Sequence, residues 1–245
     1  MAPANNPQPP DIGSLRAIGL FQALDSPDLT AVALAAQYRQ VERGAAFFLQ
    51  GDPATVCYVL TQGRVRLVQV TPEGQQVILR FIGAGEGFGV VAALSNTVYP
   101  AAAEAVDDCL ALAWDGETLA TLMERYPRLA INGMRLLAER VREFQDRLRE
   151  LVTERVARRV ARTLLRLVRQ GGRKVEGGVL IDLPLSRQDL AEMTGTTLYT
   201  VSRILSQWEQ QGFIETGRKR VLIRSPHGLV AIAEDLPPGS PPEPH

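Results

Sequence analysis

The side chains best suited to recognise another molecule lie in one stretch, residues 186–210, SRQDLAEMTGTTLYTVSRILSQWEQ. Leu198, Tyr199, Ser202 and Arg203 fall on one face of a helix, opposite Val201, Ile204, Leu205 and Trp208, whose 3–4 spacing marks a buried side. A guanidinium on such an outward face can make the paired hydrogen bonds to guanine that dominate base readout in the DNA major groove. Ahead of this helix Gly195 provides a turn, and Thr196 or Thr197 a cap. Leu190, Ala191 and Met193 give a shorter first helix its apolar face, and small Ala191 lets the two helices cross closely. This is the pattern of a helix-turn-helix, whose second helix enters the major groove. An ordinary helical hairpin, with Arg203 a solvated charge, is the alternative.

The residues beyond the second helix favour nucleic acid. Residues 213–223 read as an apolar strand, a basic turn and a second apolar strand, a β-hairpin wing with Arg218, Lys219 and Arg220 at its tip. Three cations in a row suit a phosphate backbone. The chain of 245 residues is neutral overall, yet residues 153–224 hold 14 Arg and Lys against 7 Asp and Glu, a net of +7 that the remainder offsets. No histidine stands beside a nucleophile, no glycine loop opens a helix for a phosphate, and no metal-ligand cluster is present, so an enzyme is not expected. Two cysteines, Cys57 and Cys109, are too few for a disulfide framework. No apolar run approaches the ~18 residues of a membrane span, and no secretion signal opens the chain. The expected location is the cytoplasm, without membrane contact.

The elements that must carry this head fall into five parts. Residues 1–11 are Pro- and Asn-rich and are expected to be a disordered arm, as is the tail at 236–245. Residues 12–116 begin with two short helices, over 12–21 and 26–36, the second capped by Ser26 with Pro27 at its first position. Turn signals then recur about every ten residues between short apolar runs at 57–60, 65–70, 76–82 and 109–114, which predicts a small barrel or jelly roll. Gly83, Gly85, Gly87 and Gly89 alternate, marking a bend where the backbone comes close to something. Residues 117–152 hold a short helix and then a long one. On the long helix Met134, Leu137, Val141, Phe144, Leu148 and Leu151 are spaced 3, 4, 3, 4, 3, the seam of a coiled coil flanked by Arg and Glu. That seam predicts a parallel homodimer, which would place two helix-turn-helices over a palindromic site. Residues 152–154 read as the hinge, with Thr153 capping the next, arginine-rich helix, and 153–235 as the winged-helix domain.

A glycine-punctuated β-roll, a long dimer helix and a winged helix, in this order, resemble the CRP/FNR superfamily of bacterial transcription regulators. The likeness spans residues 12–232 and is most specific at YVLTQGRVRLV (58–68) and SRQDLAEMTGTTLYTVSRIL (186–205). The fold it implies is α+β: an N-terminal cyclic-nucleotide-binding-like β-roll, a long dimerisation helix and a C-terminal winged helix-turn-helix. The resemblance further implies that Arg187, Thr197 and Thr200 hold phosphates of double-stranded DNA and that Ser202 and Arg203 face bases. Thr196, Leu198 and Tyr199 belong to the same surface, and Gly217, Arg218 and Lys219 of the wing meet backbone. RNA polymerase is the further partner it implies. A signalling or scaffold module whose winged helix binds protein is the alternative, separable by the salt dependence of binding to random duplex DNA.

The effector site departs from the family's cyclic-AMP branch. Where that branch has a Gly-Glu pair for the ribose and an Arg-Ser-Ala run for the phosphate, this chain reads Gly89-Val90 and Pro100-Ala101-Ala102. Gly85-Glu86 falls four residues too early, and residues 81–106 contain no Arg or Lys. A buried phosphate without a cation is costly, so cyclic AMP is not the expected effector. There is no N-terminal cysteine cluster for iron and sulfur, and His227 and His245 lie beyond the sensor. No cofactor is expected, haem on Cys57, Cys109, Met or Tyr being the alternative. What remains is an apolar pocket bordered by Phe88, Gly89, Val90, Val91 and Leu94 on one side and by Tyr99, Pro100 and Ala101 on the other. It takes an uncharged or hydrophobic ligand or is filled by its own side chains; the second is the expectation here.

Overall fold

The computed structural model describes residues 12–181, 183, 185–217 and 220–235, apart from the side chains of Ile12 and Ser14. The expected arm and tail, and the wing residues Arg218 and Lys219, lie outside these. The chain divides into two compact units at Glu143 and Phe144.

The first unit opens with α1 (Ile12–Leu15), a 3-10 turn (Gly19–Phe21) and α2 (Ser26–Leu34). The single helix expected over 12–21 is therefore two short pieces. Asp25, not Ser26, caps α2, its carboxylate accepting from Asp28 N at 2.9 Å, and Pro27 takes the second position. Eight strands come next: β1 (Gln37–Val41), β2 (Ala46–Phe48), β3 (Val56–Gln62), β4 (Val65–Val70), β5 (Gln76–Ile82), β6 (Gly87–Phe88), β7 (Ala102–Ala105) and β8 (Cys109–Asp115). They form two antiparallel sheets, ordered β1-β8-β3-β6 and β2-β7-β4-β5. Between β6 and β7 lies α3 (Val90–Leu94), and after β8 come α4 (Gly116–Arg125) and the start of α5 (Pro127–Thr153).

The central strand β3 shows why its sequence is apolar without alternating. Successive side chains point to opposite faces, and both faces are covered. Cys57 and Val59 enter a core with Phe21, Leu29, Leu119 and Leu129; Tyr58 and Leu60 enter another with Phe48, Ile82, Phe88 and Tyr99. Its partner β8 does the same, with Leu112 and Trp114 in the first core and Cys109, Ala111 and Ala113 in the second. Each large side chain so buried contributes about 1.5–3 kcal/mol. A buried Asn132 anchors α5 in this unit, its amide donating to Leu20 O at 3.0 Å and Gln22 O at 2.7 Å.

The second unit contains the rest of α5, then α6 (Val156–Gly171), β9 (Gly172–Val175), β10 (Gly178–Ile181), α7 (Arg187–Thr194), α8 (Leu198–Gln210), β11 (Ile214–Gly217), β12 (Arg220–Ile223) and α9 (Pro226–Glu234). Its sheet is ordered β11-β12-β10-β9, so the wing hairpin is half of a four-stranded sheet. The helix break falls later than the sequence suggests. Thr153 is still inside α5 and donates to Arg149 O at 2.9 Å, while Arg155 stands at the start of α6 without a side-chain cap bond. Among the described residues no helix is long and apolar enough to cross a membrane.

Candidate nucleic-acid interface

The reading head is held by local chemistry. Ser186 caps α7 in a reciprocal box with Asp189: Asp189 N donates to Ser186 Oγ at 3.0 Å and Ser186 N to Asp189 Oδ2 at 2.7 Å. Leu190, Ala191 and Thr194 form the buried side of α7; Met193, expected there, is only half-buried. The face turns by helical geometry to Thr194, whose hydroxyl donates to Leu190 O at 2.6 Å and so reaches the interior without an unmet polar group.

Gly195 ends α7 in the left-handed region, φ 60° and ψ 47°. A Cβ there would lie 3.3 Å from Leu151 Cδ2. Gly195→Ala should therefore lower stability by about 1–2 kcal/mol, and Gly195→Asn, which tolerates this backbone better, by less; urea denaturation ranks the two. Of the two candidate caps, Thr197 holds the position, accepting from Thr200 N at 3.2 Å. Along α8 Val201, Ile204, Leu205 and Trp208 are buried. Glu209 binds Thr216 N at 2.7 Å and fixes α8 to the wing.

The outward side of α8 is the one expected. Tyr199 is 78% exposed, Leu198 and Arg203 are exposed, and Ser202, Thr200 and Thr196 are half-buried beside them. Among the described residues Arg203 makes no hydrogen bond or ion pair, which leaves its whole fork of donors available. A cleft of roughly 360 Å³ brings Arg187, Gln188, Leu198 and Gly217 together with Arg220. Arg187 reaches the wing through Thr216 Oγ1 at 3.4 Å. Arg220, read from the sequence only as the last of three cations at the wing tip, stands opposite Gly217 in the hairpin register and so joins this surface.

The arginines of α6 behave differently from a basic face. Arg166 binds both oxygens of buried Glu150, at 2.8 and 2.9 Å, and Arg158 binds Glu154 at 2.8 Å. Arg158 and Arg162 also donate to Ala233 O on α9, and Arg159 to Thr194 O at the end of α7. These cations hold the domain together, so the positive excess counted along the sequence overstates what faces DNA.

In the first unit a cavity of roughly 380 Å³ opens between the β-roll and α5. Seven of the eight expected residues line it: Phe88, Gly89, Val90, Val91, Tyr99, Pro100 and Ala101. Leu94 does not and is exposed. The site is not filled by its own side chains as the sequence suggested. Phe48 and Tyr99 stack flat, with ring centroids 3.6 Å apart, and the Tyr99 hydroxyl donates to Val56 O, which holds both rings against the wall. Gly89, at φ 73°, permits the close approach; a Cβ there would lie 3.2 Å from Val56 O. The run without cations ends one residue too soon to decide the site's charge: Arg80, Glu86 and, from α5, Arg140 also line the cavity. Cys57 and Cys109 do not; both are buried and donate to backbone carbonyls. Burial pushes the Cys57 thiol up to about 12, which makes it inert.

A β-roll with a cavity, joined in one chain to a winged helix, is the domain order of a DNA-binding regulator. Two family models match accordingly, a cyclic nucleotide-binding domain over residues 38–126 and a Crp-like helix-turn-helix domain over 158–232. The chain is 34% identical to the cyclic AMP receptor protein of Thermus thermophilus, covering 89% of this chain and 97% of that one. It is 25% identical to the CRP-like cAMP-activated global transcriptional regulator of Mycobacterium tuberculosis, covering 88% and 96%. The structure of FixK2 from Bradyrhizobium japonicum superposes with a TM-score of 0.71 at 27% identity, covering 80% of this chain and 96% of that one. The chain belongs to the CRP/FNR superfamily and is a DNA-binding transcription regulator, not an enzyme.

Proposed function

We propose that the protein acts in the cytoplasm as a parallel homodimer, paired along α5, that reads a palindromic DNA site with α8 and does so without cyclic AMP. RNA polymerase is the partner that family membership suggests. One observation supports the dimer above the rest. Met134, Leu137, Val141, Phe144, Leu148 and Leu151 are all 46–67% exposed in the single chain, on a helix otherwise rich in charge. Such a stripe is the unpaired half of a coiled coil, and a second copy of the same helix matches its spacing. Two-fold pairing then presents two α8 helices to half-sites about one helical turn apart.

Independence from cyclic AMP rests on the cavity wall. At the positions where the cyclic-AMP branch carries a ribose carboxylate and a phosphate cation, this wall offers Val90 and Pro100-Ala101. The cations that line this wall, Arg80 and Arg140, stand on β5 and α5 rather than at those positions, and both are paired with Glu86. Calorimetry with cyclic AMP and cyclic GMP should show no micromolar binding, and operator affinity should not change when either is added. Micromolar affinity coupled to tighter operator binding would contradict this reading.

A further inference from the structure

A carboxylate on the reading head stands without a cation. Glu209, exposed in the last turn of α8, forms no ion pair among the described residues. Within a surface that meets phosphates, such a charge by itself weakens binding. Its oxygens are nevertheless engaged, and by a single residue. Oε1 accepts the Thr216 N–H at 2.7 Å, and the Thr216 hydroxyl lies 3.1 Å from Oε1 and 3.2 Å from Oε2. Thr216 is on β11, the edge strand of its sheet, so Glu209 does there what a further strand would do. An ionised carboxylate only accepts, so the Thr216 hydroxyl gives its proton to Glu209. Its lone pairs are thereby left for its other neighbour, Arg187, whose Nη2 donates to it at 3.4 Å. Glu209, Thr216 and Arg187 thus form a relay from the end of α8, through the wing, to the start of α7. Arg187 has no ion pair among the described residues, and its remaining donors are open to the cleft it lines.

We propose that Glu209 is a positioning residue for DNA binding: it touches no DNA, yet it holds Thr216 so that the wing strand and the Arg187 guanidinium stand ready for a backbone phosphate. This rests on the reading of Arg187 as a phosphate contact. Without the relay, Arg187 is a long side chain free in water, and fixing it on a phosphate costs rotamer freedom at the moment of binding. With the relay, the guanidinium is placed beforehand, one donor on Thr216 and the rest of its fork free. The two effects of a carboxylate here are opposite in sign. As a charge, Glu209 repels phosphate, and its removal should tighten binding. As an acceptor, it positions Thr216, and its removal should weaken binding. Glutamine separates the two, since its amide oxygen still takes the Thr216 N–H while the charge is gone.

The test is fluorescence anisotropy of the full chain on a labelled duplex of random sequence over a range of potassium chloride concentrations, which needs neither the operator nor a nucleotide. Glu209→Gln should bind at least as tightly as wild type, and Glu209→Ala about threefold or more weakly than wild type. Thr216→Val keeps the branched shape that suits a strand and removes the hydroxyl. It should weaken binding about threefold in the wild-type background and not at all beside Arg187→Met, where the contact it breaks is already gone. Arg187→Met itself should lower the salt slope by about one per chain. Equal binding by the two Glu209 variants, or an equal Thr216→Val loss in both backgrounds, would overturn the proposal and leave Arg187 as a phosphate contact. Should Glu209→Ala not fold by circular dichroism, the Thr216 and Arg187 cycle decides alone. An Arg187→Met chain with an unchanged salt slope would instead remove the phosphate reading, and the proposal with it.

Discussion

Replacing Phe144 and Leu148 by aspartate should yield a folded chain that sediments as a monomer and binds its operator on the order of 10²–10⁴-fold more weakly. Both side chains are more than half exposed in the single chain, so the change removes nothing from either core. What it removes is the second reading head: without pairing, each α8 meets its half-site alone and the gain from linked binding disappears. Two charges facing two charges across a seam also oppose association outright. Leu34→Asp serves as the control, since Leu34 is 80% exposed on α2 and outside the seam; it should leave mass and affinity unchanged. Equilibrium sedimentation and fluorescence anisotropy with the operator read the two effects independently.

Arg203→Ala should weaken binding by ~1–3 kcal/mol per half-site and relax preference at a single guanine-bearing base pair. The side chain is exposed on the outward face of α8 and has no partner among the described residues, so its donors are not already committed. Tyr199 makes the complementary case. Family members commonly place a glutamate there that accepts from a cytosine amino group, and a phenol cannot supply that charged acceptor. Tyr199→Glu should accordingly sharpen preference for cytosine-bearing pairs at its own position. A randomised-operator selection on wild type and both variants decides the matter. If Arg203→Ala lowers affinity equally at every sequence and reduces the salt slope by about one, the residue is only a phosphate contact.

Local periodicity made some of this structure readable in advance. The runs at 65–70 and 76–82 coincide with β4 and β5, because each is bounded by turn residues that no strand continues through. The buried face of α8 and the glycine turn before it were equally plain, since both depend on residues only three or four apart. The strands β9 and β10 were not legible because each is only four residues long, too short for alternation to show, although Glu176-Gly177-Gly178 between them is a turn signal. Helix α9 escaped too, although Ser225 and Pro226 are a cap and a first-turn proline.

The larger gap concerns charge. Arg80 and Arg140 are sixty residues apart in the chain, and nothing in their neighbourhoods shows that Glu86 brings them together. The α6 arginines pose the converse case: as a sequence they read as a DNA-facing excess, and folded they bind Glu150, Glu154 and the carbonyl ends of α7 and α9. Sign and spacing do not show whether a cation faces solvent, an anion or an internal carbonyl. Only the tertiary contact does.

Sedimentation of the wild-type chain with a fluorescent duplex taken from the operator selection shows whether two chains bind DNA together without a nucleotide. With no nucleotide added, a complex of two chains per duplex should form. One chain per duplex, or no complex until cyclic AMP is supplied, would contradict it.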